Sequence, residues 1–327
     1  MVRNKLKISV CARIKSVMNY NVIIIGGGAA GISAALWCDE LGLSALVLEE
    51  AEEFGGQLLW THNEIKNHLG IEVENGREMR NIFLRQIENR KFGRRFGTKV
   101  SEILSEREAV TTRSDFKVLL ENGEKIPANS IVIASGVRRR KLNVEGELEF
   151  QNKGIITSGK RDAEKARNKN VLIVGGGDAA FENALILAET AKSVTLSYRG
   201  KTFRARTEFI EQVLQNPNVK ILTETTVKRI LGEKKVEAVE FENGEQQSFE
   251  IILIRVGVEP NTEFLRGKIE LDEQGYIKIN ENCETSAKNI YAVGDVANPI
   301  SPTISTAVGM GATAAKSITN FKLRITN

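Results

Sequence analysis

Apolar residues in this chain group into short unbroken runs followed by helical spacing. The run "VIII" from residue 22 ends in three glycines and passes into "AAGISAAL". The same order returns from residue 171 as "VLIV", three glycines and "DAAFENAL". Unbroken apolar runs of this length suit strands buried on both faces, and the segments after the glycines repeat their apolar residues as a helix does. Each segment therefore reads as strand, tight turn, helix. "ALVLEE" (45–50) and "VTLSYR" (194–199) add a second strand to each. The pattern predicts two βαβ dinucleotide units in one chain.

Between and after these units the pattern alternates. "DFKVLLENGEKIPANSIVIASG" reads as strand, turn at Asn122-Gly123, strand, and "KKVEAVEFENGEQQSFEIILIRVG" repeats this with its turn at Asn243-Gly244. Each stretch closes on an apolar strand and a glycine, Gly136 and Gly257, where the chain is expected to cross between domains as short paired strands. The expected fold class is α/β, with two Rossmann-like dinucleotide-binding domains of a three-layer ββα type. The second is inserted into the first: residues 18–137 and 255–327 form one domain, residues 138–254 the other.

Composition narrows the function classes. The chain has 327 residues, 41% hydrophobic and 27% charged, as in a globular protein with two domains. Its 46 basic and 42 acidic side chains are interspersed and leave a net charge of +4, too mild to point to nucleic acid. No apolar run is long enough for a membrane span. Residues 1–17 are basic, carry no acid and lack the apolar core of a secretory signal, so they read as a disordered leader or an upstream start. The cysteines are Cys11, Cys38 and Cys283, with neither C-x-x-C nor metal-ligand spacing. No metal site is expected, and sparse cysteine points to the cytoplasm.

The candidate chemistry lies at the glycine turns. The first glycine permits the tight turn, the second lets backbone approach a pyrophosphate, and the third position lets helix and strand pack closely. These are Gly26, Gly28 and Gly31 in the first copy, and Gly175, Gly177 and Ala180 in the second. Phosphates would meet the free N–H groups of the helix N-terminus. Glu49 ends the second strand of the first unit, and an acid there accepts hydrogen bonds from ribose hydroxyls, which suits FAD or NAD. The second unit has Tyr198 and then Arg199 at that place, with no acid between Glu189 and Glu208. Guanidinium groups grip a 2′-phosphate that an acid would repel, so NADPH is expected there in preference to NADH.

With both glycine motifs, "GGQL" (55–58), "KNHLG" (66–70), "IASG" (133–136), "VGVEPNT" (256–262) and "YAVGD" (291–295) in this order, the chain resembles the low-molecular-weight thioredoxin reductase family of flavoproteins from about residue 18 onward. The resemblance implies FAD in the first domain, with Gly56, Gln57 and Asn67 near the flavin ring and Asp295 beside Gly294 holding the ribityl or pyrophosphate portion. "PTIST" (302–306) would aim backbone N–H groups, including those of Ile304 and Ser305, at the pyrimidine end. Ala30, Val100, Ala134 and Gly136 complete the implied flavin site. Asp178, Ala179 and Glu182 join the second glycine turn in the implied NADPH site. The family's NADPH signature H-R-R-x-x-x-R reads "YRGKTFR" here, retaining Arg199 and Arg204. A Tyr-Arg-Gly version resembles that of bacillithiol disulfide reductase-like proteins.

The main departure is catalytic. Where the family carries its C-x-x-C dithiol, this chain has Ser158 and Arg161, within "TSGKRD". Neither can relay electrons by thiol exchange. No catalytic side chain is assigned, and His62 and His68 read as loop residues near the flavin edge. The leading expectation is an NADPH-dependent FAD oxidoreductase, a homodimer by resemblance, that delivers electrons to an external acceptor: a small disulfide, a quinone or a ferredoxin-like protein. The basic "SGKRDAEKARNK" face could dock an acidic electron-transfer protein. The alternatives are a flavin-binding sensor or interaction protein without turnover and, less favoured, an orthodox thioredoxin-disulfide reductase.

Overall fold

The computed structural model describes residues 20–105, 116–265 and 267–326. The leader (1–17) and Cys11 lie outside them. Four sheets organise the chain. The largest runs in spatial order β3 (Gly93–Arg95), β2 (Ala45–Leu48), β1 (Tyr20–Ile25), β6 (Lys125–Ile133), β5 (Phe116–Leu120) and β4 (Val100–Ser105), with β17 (Ile290–Ala292) also pairing β6. Its β3, β2, β1, β6 and β17 pairings are parallel, whereas β4, β5 and the start of β6 form an antiparallel meander. Asn122-Gly123 makes the turn, with Gly123 at φ +85°.

The central parallel strands β1, β2 and β17 and the end of β6 are buried on both faces, which is why they read as unbroken apolar runs, whereas the edge strand β3 is polar and partly exposed. One face packs on α1 (Ala29–Glu40), α2 (Gly76–Ile87) and α6 (Ile304–Thr326). The other packs on the meander. The result is the three-layer ββα arrangement. Helices α1 and α6 approach closely because small residues face each other. A side chain at Gly311 would collide with the α1 backbone at Ala30 and Ala34, and the Ser33 hydroxyl donates to the Val308 carbonyl at 2.7 Å.

The second unit has a five-stranded parallel sheet in the order β11 (Val219–Leu222), β10 (Ser193–Ser197), β9 (Asn170–Val174), β15 (Ile251–Ile254) and β8 (Ile155–Ile156). Helices α3 (Ala163–Ala166), α4 (Asp178–Ala188) and α5 (Thr207–Gln215) belong to this unit, and α4 with α5 packs on one face. A three-stranded antiparallel sheet, β12 (Val227–Leu231), β13 (Ala238–Phe241) and β14 (Gln246–Ser248), covers the other. Each unit is thus a Rossmann-like layer of parallel strands between helices and an antiparallel sheet.

Where the chain passes between the units, β7 (Val137–Arg139) and β16 (Val258–Pro260) pair antiparallel. Arg138 clamps the pair, reaching Glu259 at 2.7 Å and also Glu263. No helix among the described residues is long and apolar enough to cross a membrane, and no cluster of potential metal ligands occurs among them.

Candidate functional site

The two glycine turns have the same backbone logic. Gly26 and Gly175 sit at φ +105° and +153°, and a Cβ on either would strike a carbonyl, that of Ala134 or of Arg255. Gly31 packs against the Gly26 carbonyl, and Ala180 takes the corresponding place in the second unit. Those positions are fixed by protein packing. The middle glycines differ, because a Cβ on Gly28 or Gly177 would meet no protein atom closer than 4.0 Å. It would stand instead in the groove before the helix N-terminus. This bare backbone fits a nucleotide pyrophosphate at both turns.

In the first unit the turn opens into a cavity of about 1080 Å³. That is at the upper end for ligand pockets and suits an extended dinucleotide. Of the residues singled out from sequence, Gly26, Gly28, Ala30, Glu49, Gly56, Gln57, Val100, Ala134, Gly136, Gly294, Asp295 and Ile304 line it. Gly31, Asn67 and Ser305 stand outside its wall: Gly31 packs beneath the turn, Asn67 is exposed in its loop, and the Ser305 hydroxyl pairs with His68 Nδ1 at 3.0 Å. Trp60, Thr61, Thr98, Lys99, Asn261 and Phe264 also line the cavity. They were missed because they sit in loops whose path the local pattern does not set.

Glu49 accepts from Gly27 N–H at 2.6 Å through one carboxylate oxygen and from Ala51 N–H at 2.8 Å through the other. The acid therefore braces the glycine turn and still faces the groove. Burial raises the pKa of Asp295, which also lines the cavity. Gln57 Nε2 donates to the Val137 carbonyl at 2.6 Å, tying the Gly56–Trp60 turn to the crossover. At the start of α6, Thr303 and Thr306 cap reciprocally, Thr306 N–H to Thr303 Oγ1 at 3.2 Å and Thr303 N–H to Thr306 Oγ1 at 3.3 Å.

In the second unit the ring of Tyr198 replaces that brace. It lies against Gly176, the counterpart of Gly27, and against Gly200, leaving no room for a Cβ at either. Arg204 N–H donates to the Gly176 carbonyl at 2.8 Å, which brings Arg204 beside the turn, and Arg199 is exposed immediately after Tyr198. Asp178 and Ala179 are exposed at the head of α4. Asp178 is occupied by Arg206, whose Nε donates to it at 3.0 Å.

The segment 157–162 is an ordered loop. Ser158 is buried, and its hydroxyl accepts from Arg161 N–H at 3.2 Å. Asp162 is also buried and accepts from the N–H groups of Thr157 and Ser158, each at 3.1 Å, from Arg161 and from Lys165. Burial alone would raise the pKa of this carboxyl, but the bonds from Arg161, Lys165 and the two N–H groups outweigh it and hold the pKa well below the usual range. Gly159 N–H donates to Asn183 Oδ1 at 2.8 Å, fastening the loop to α4.

The two units meet beside this loop. Asn63 Nδ2, in the loop that follows the Gly56–Trp60 turn, donates to Glu182 Oε1 on α4 at 2.8 Å. His62 lies in the same seam, and burial followed by the charge of Arg161 lowers its pKa.

Residues 20–311 match the model of the pyridine nucleotide-disulphide oxidoreductase family. Thioredoxin reductase of Mycolicibacterium smegmatis is 31% identical over 303 residues, 90% of this chain and 94% of that protein. NADH dehydrogenase of Bacillus subtilis is 28% identical over 310 residues, 93% of this chain, but the match spans only 59% of that protein's length. Among solved structures, thioredoxin reductase of Lactococcus lactis superposes with a TM-score of 0.80 at 30% identity, covering 93% of this chain and 99% of that one. The chain belongs to the pyridine nucleotide-disulphide oxidoreductase family and is an NAD(P)H-dependent flavoprotein oxidoreductase.

Proposed function

We propose that this protein oxidises NADPH, with NADH the poorer donor, and passes the electrons through FAD to an external acceptor without an internal dithiol. The observation that carries the reading is the Asn63–Glu182 hydrogen bond, which joins the loop beside the first groove to the helix that heads the second. Hydride transfer requires the reducing end of the nucleotide to reach the flavin edge, and this contact sets the two elements against each other.

FAD, when bound, supplies the two-electron chemistry. The chain's residues provide placement. The bare backbone at Gly28 and the braced turn at Glu49 would hold one dinucleotide, with Asp295 in the same cavity. The bare backbone at Gly177 and the N-terminus of α4 hold the pyrophosphate of NADPH, and Arg199 and Arg204 take its 2′-phosphate. Domain boundaries near Gly136 and Gly257 leave the β7–β16 pair as the link between the two sites.

Release of electrons by thiol relay is disfavoured. Ser158 and Arg161 occupy the dithiol place. Cys38 and Cys283 are buried, and burial pushes the Cys283 thiol up to about 11, so it stays protonated at neutral pH. The acceptor classes are a small disulfide, a quinone or a redox protein, and the assembly is a cytoplasmic homodimer. The test is anaerobic stopped-flow mixing of the purified protein with NADPH. Rapid bleaching of flavin absorption, slower with NADH, is expected. No bleaching by either nucleotide would leave the sensor reading in its place, and turnover in a thioredoxin-coupled assay would refute the missing relay.

A further inference from the structure

Three arginines distant in sequence converge on one residue, Thr157, two on its carbonyl and one on its hydroxyl. Arg139 ends β7, Arg255 follows β15, and Arg161 lies in the 157–162 loop. The Thr157 carbonyl accepts from Arg139 Nη1 and from Arg255 Nη2, the latter at 2.8 Å. Arg161 Nη2 reaches the Thr157 hydroxyl. Arg255 Nη1 donates to its own neighbour, the Ile254 carbonyl, at 2.9 Å. Among the described residues, the guanidinium groups of Arg139 and Arg255 donate only to these carbonyls. A guanidinium has five N–H donors, so most of those on Arg139 and some on Arg255 are left over.

The local charges do not balance. Asp162 is already shared between Arg161 and Lys165, and Glu182, bonded by the neutral Asn63 amide, keeps its charge and acts on Arg255, which leaves two carboxylates against three arginines and Lys165. Burial and the charge of Arg139 lower the pKa of half-buried Arg255 to about 10. The field reaches the first unit too: after burial, Arg161 and, more weakly, Arg139 lower the pKa of His62, with Asp162 opposing them. A fold has little reason to gather like charges unless an anion offsets them.

The position indicates which anion. Arg199 and Arg204 follow β10, on one side of the β9 turn. Arg255 and Thr157 follow β15 and β8, on the other. A dinucleotide lies across the switch point between such halves, with its two ends on opposite sides. The cluster therefore stands apart from the 2′-phosphate end, beside the reducing end, at the place where the family keeps its dithiol.

We propose that Arg139, Arg161 and Arg255 form the recognition site for an oxyanion group, carboxylate or phosphate, on the electron acceptor. This rests on the function proposed above and narrows its acceptor to an anionic molecule. A neutral quinone would gain nothing from the cluster.

The test uses the full-length FAD-loaded protein with ferricyanide and menadione as alternative acceptors. Ferricyanide turnover balances as NADPH plus two ferricyanide giving NADP⁺, two ferrocyanide and one proton. In Arg255→Gln, kcat/KM for ferricyanide divided by that for menadione should fall about tenfold, and Arg255→Lys should recover most of it. Inorganic phosphate should compete with ferricyanide in the wild type and lose that competition in the variant. Arg139→Gln, at the surface, should move the ratio in the same direction and serves if Arg255→Gln does not fold. An unchanged ratio, with NADPH still bleaching the flavin, would overturn this proposal alone. Phosphate competing with NADPH in place of ferricyanide would also overturn it, by assigning the cluster to the cofactor's own pyrophosphate. Failure of NADPH to bleach the wild-type flavin is the separate outcome that removes the underlying function.

Discussion

The two glycine turns share a backbone and differ in what braces them. In the first, Glu49 accepts the Gly27 N–H at 2.6 Å. In the second, the Tyr198 ring lies against Gly176, and the buried acid of this unit, Asp162, gathers the N–H groups of its own loop before α3 and not those of the turn. One groove therefore has a carboxylate in its wall and the other turn an aromatic ring with Arg199 and Arg204 nearby, the difference on which the proposed preference for NADPH at the second rests. On the proposed reading, the βαβ frame sets where a dinucleotide lies, while the residue ending the second strand sets which one is preferred.

Breaking each turn separately tests that division most strongly. Gly26→Ala adds strain at φ +105° and a clash with the Ala134 carbonyl. Such strain costs about 1–3 kcal/mol before any collision. The variant should purify with its flavin absorption lowered more than about tenfold. Gly175→Ala should keep its flavin yet lose rapid bleaching by NADPH. Equal flavin loss in both variants would dissolve the comparison.

Removing the buried acid of the second unit gives the next largest effect. Asp162→Asn removes the partner of two N–H groups and two cations, and should cost about 3 kcal/mol of unfolding free energy in urea melts at about pH 7. The sign with pH is fixed. A carboxyl whose pKa is depressed by folding stabilises above its unfolded value and loses that contribution as pH falls toward the folded one. The gap between wild type and variant should therefore close below about pH 4, since the unfolded pKa is about 3.9. A gap that stays constant far into acid would mean the carboxylate charge is irrelevant.

A smaller effect concerns the 2′-phosphate. Arg199→Ala and Arg204→Ala should each raise KM for NADPH about tenfold, roughly 1.4 kcal/mol, and leave KM for NADH nearly unchanged. A parallel rise for both nucleotides would show that these arginines do not read the 2′-phosphate. The smallest shift is expected for Tyr198→Glu, which copies Glu49 into the second turn. The preference for NADPH over NADH should drop a few-fold, about 1 kcal/mol. A stronger preference would contradict the role given to the acid.

Much of this was legible in the sequence. The strands, the glycine turns, both meander turns and the place of Glu49 follow from φ demands and neighbour contacts within short stretches of chain. The flavin-side loop was less so. The resemblance implies Asn67 and the Ser305 backbone N–H at the cofactor; Asn67 is exposed and neither residue is in the cavity wall, although Ile304 next to Ser305 is. Asn63 makes the contact to the other unit, and no spacing rule singles it out. Its role depends on how one unit sits against the other.

The sequence by itself determined a pair of dinucleotide frames and the absence of a dithiol at residues 158 and 161, because strand, turn and helix are local and a missing sulfur is a matter of composition. Only the tertiary structure decided what stands there instead. Arg139, Arg161 and Arg255 come from a crossover strand, a loop and the end of a sheet strand, and they meet because β15 runs parallel beside β8 while β7 pairs with β16. Strand order and crossover pairing are long-range consequences of burying both faces of a sheet, and no window of sequence contains them.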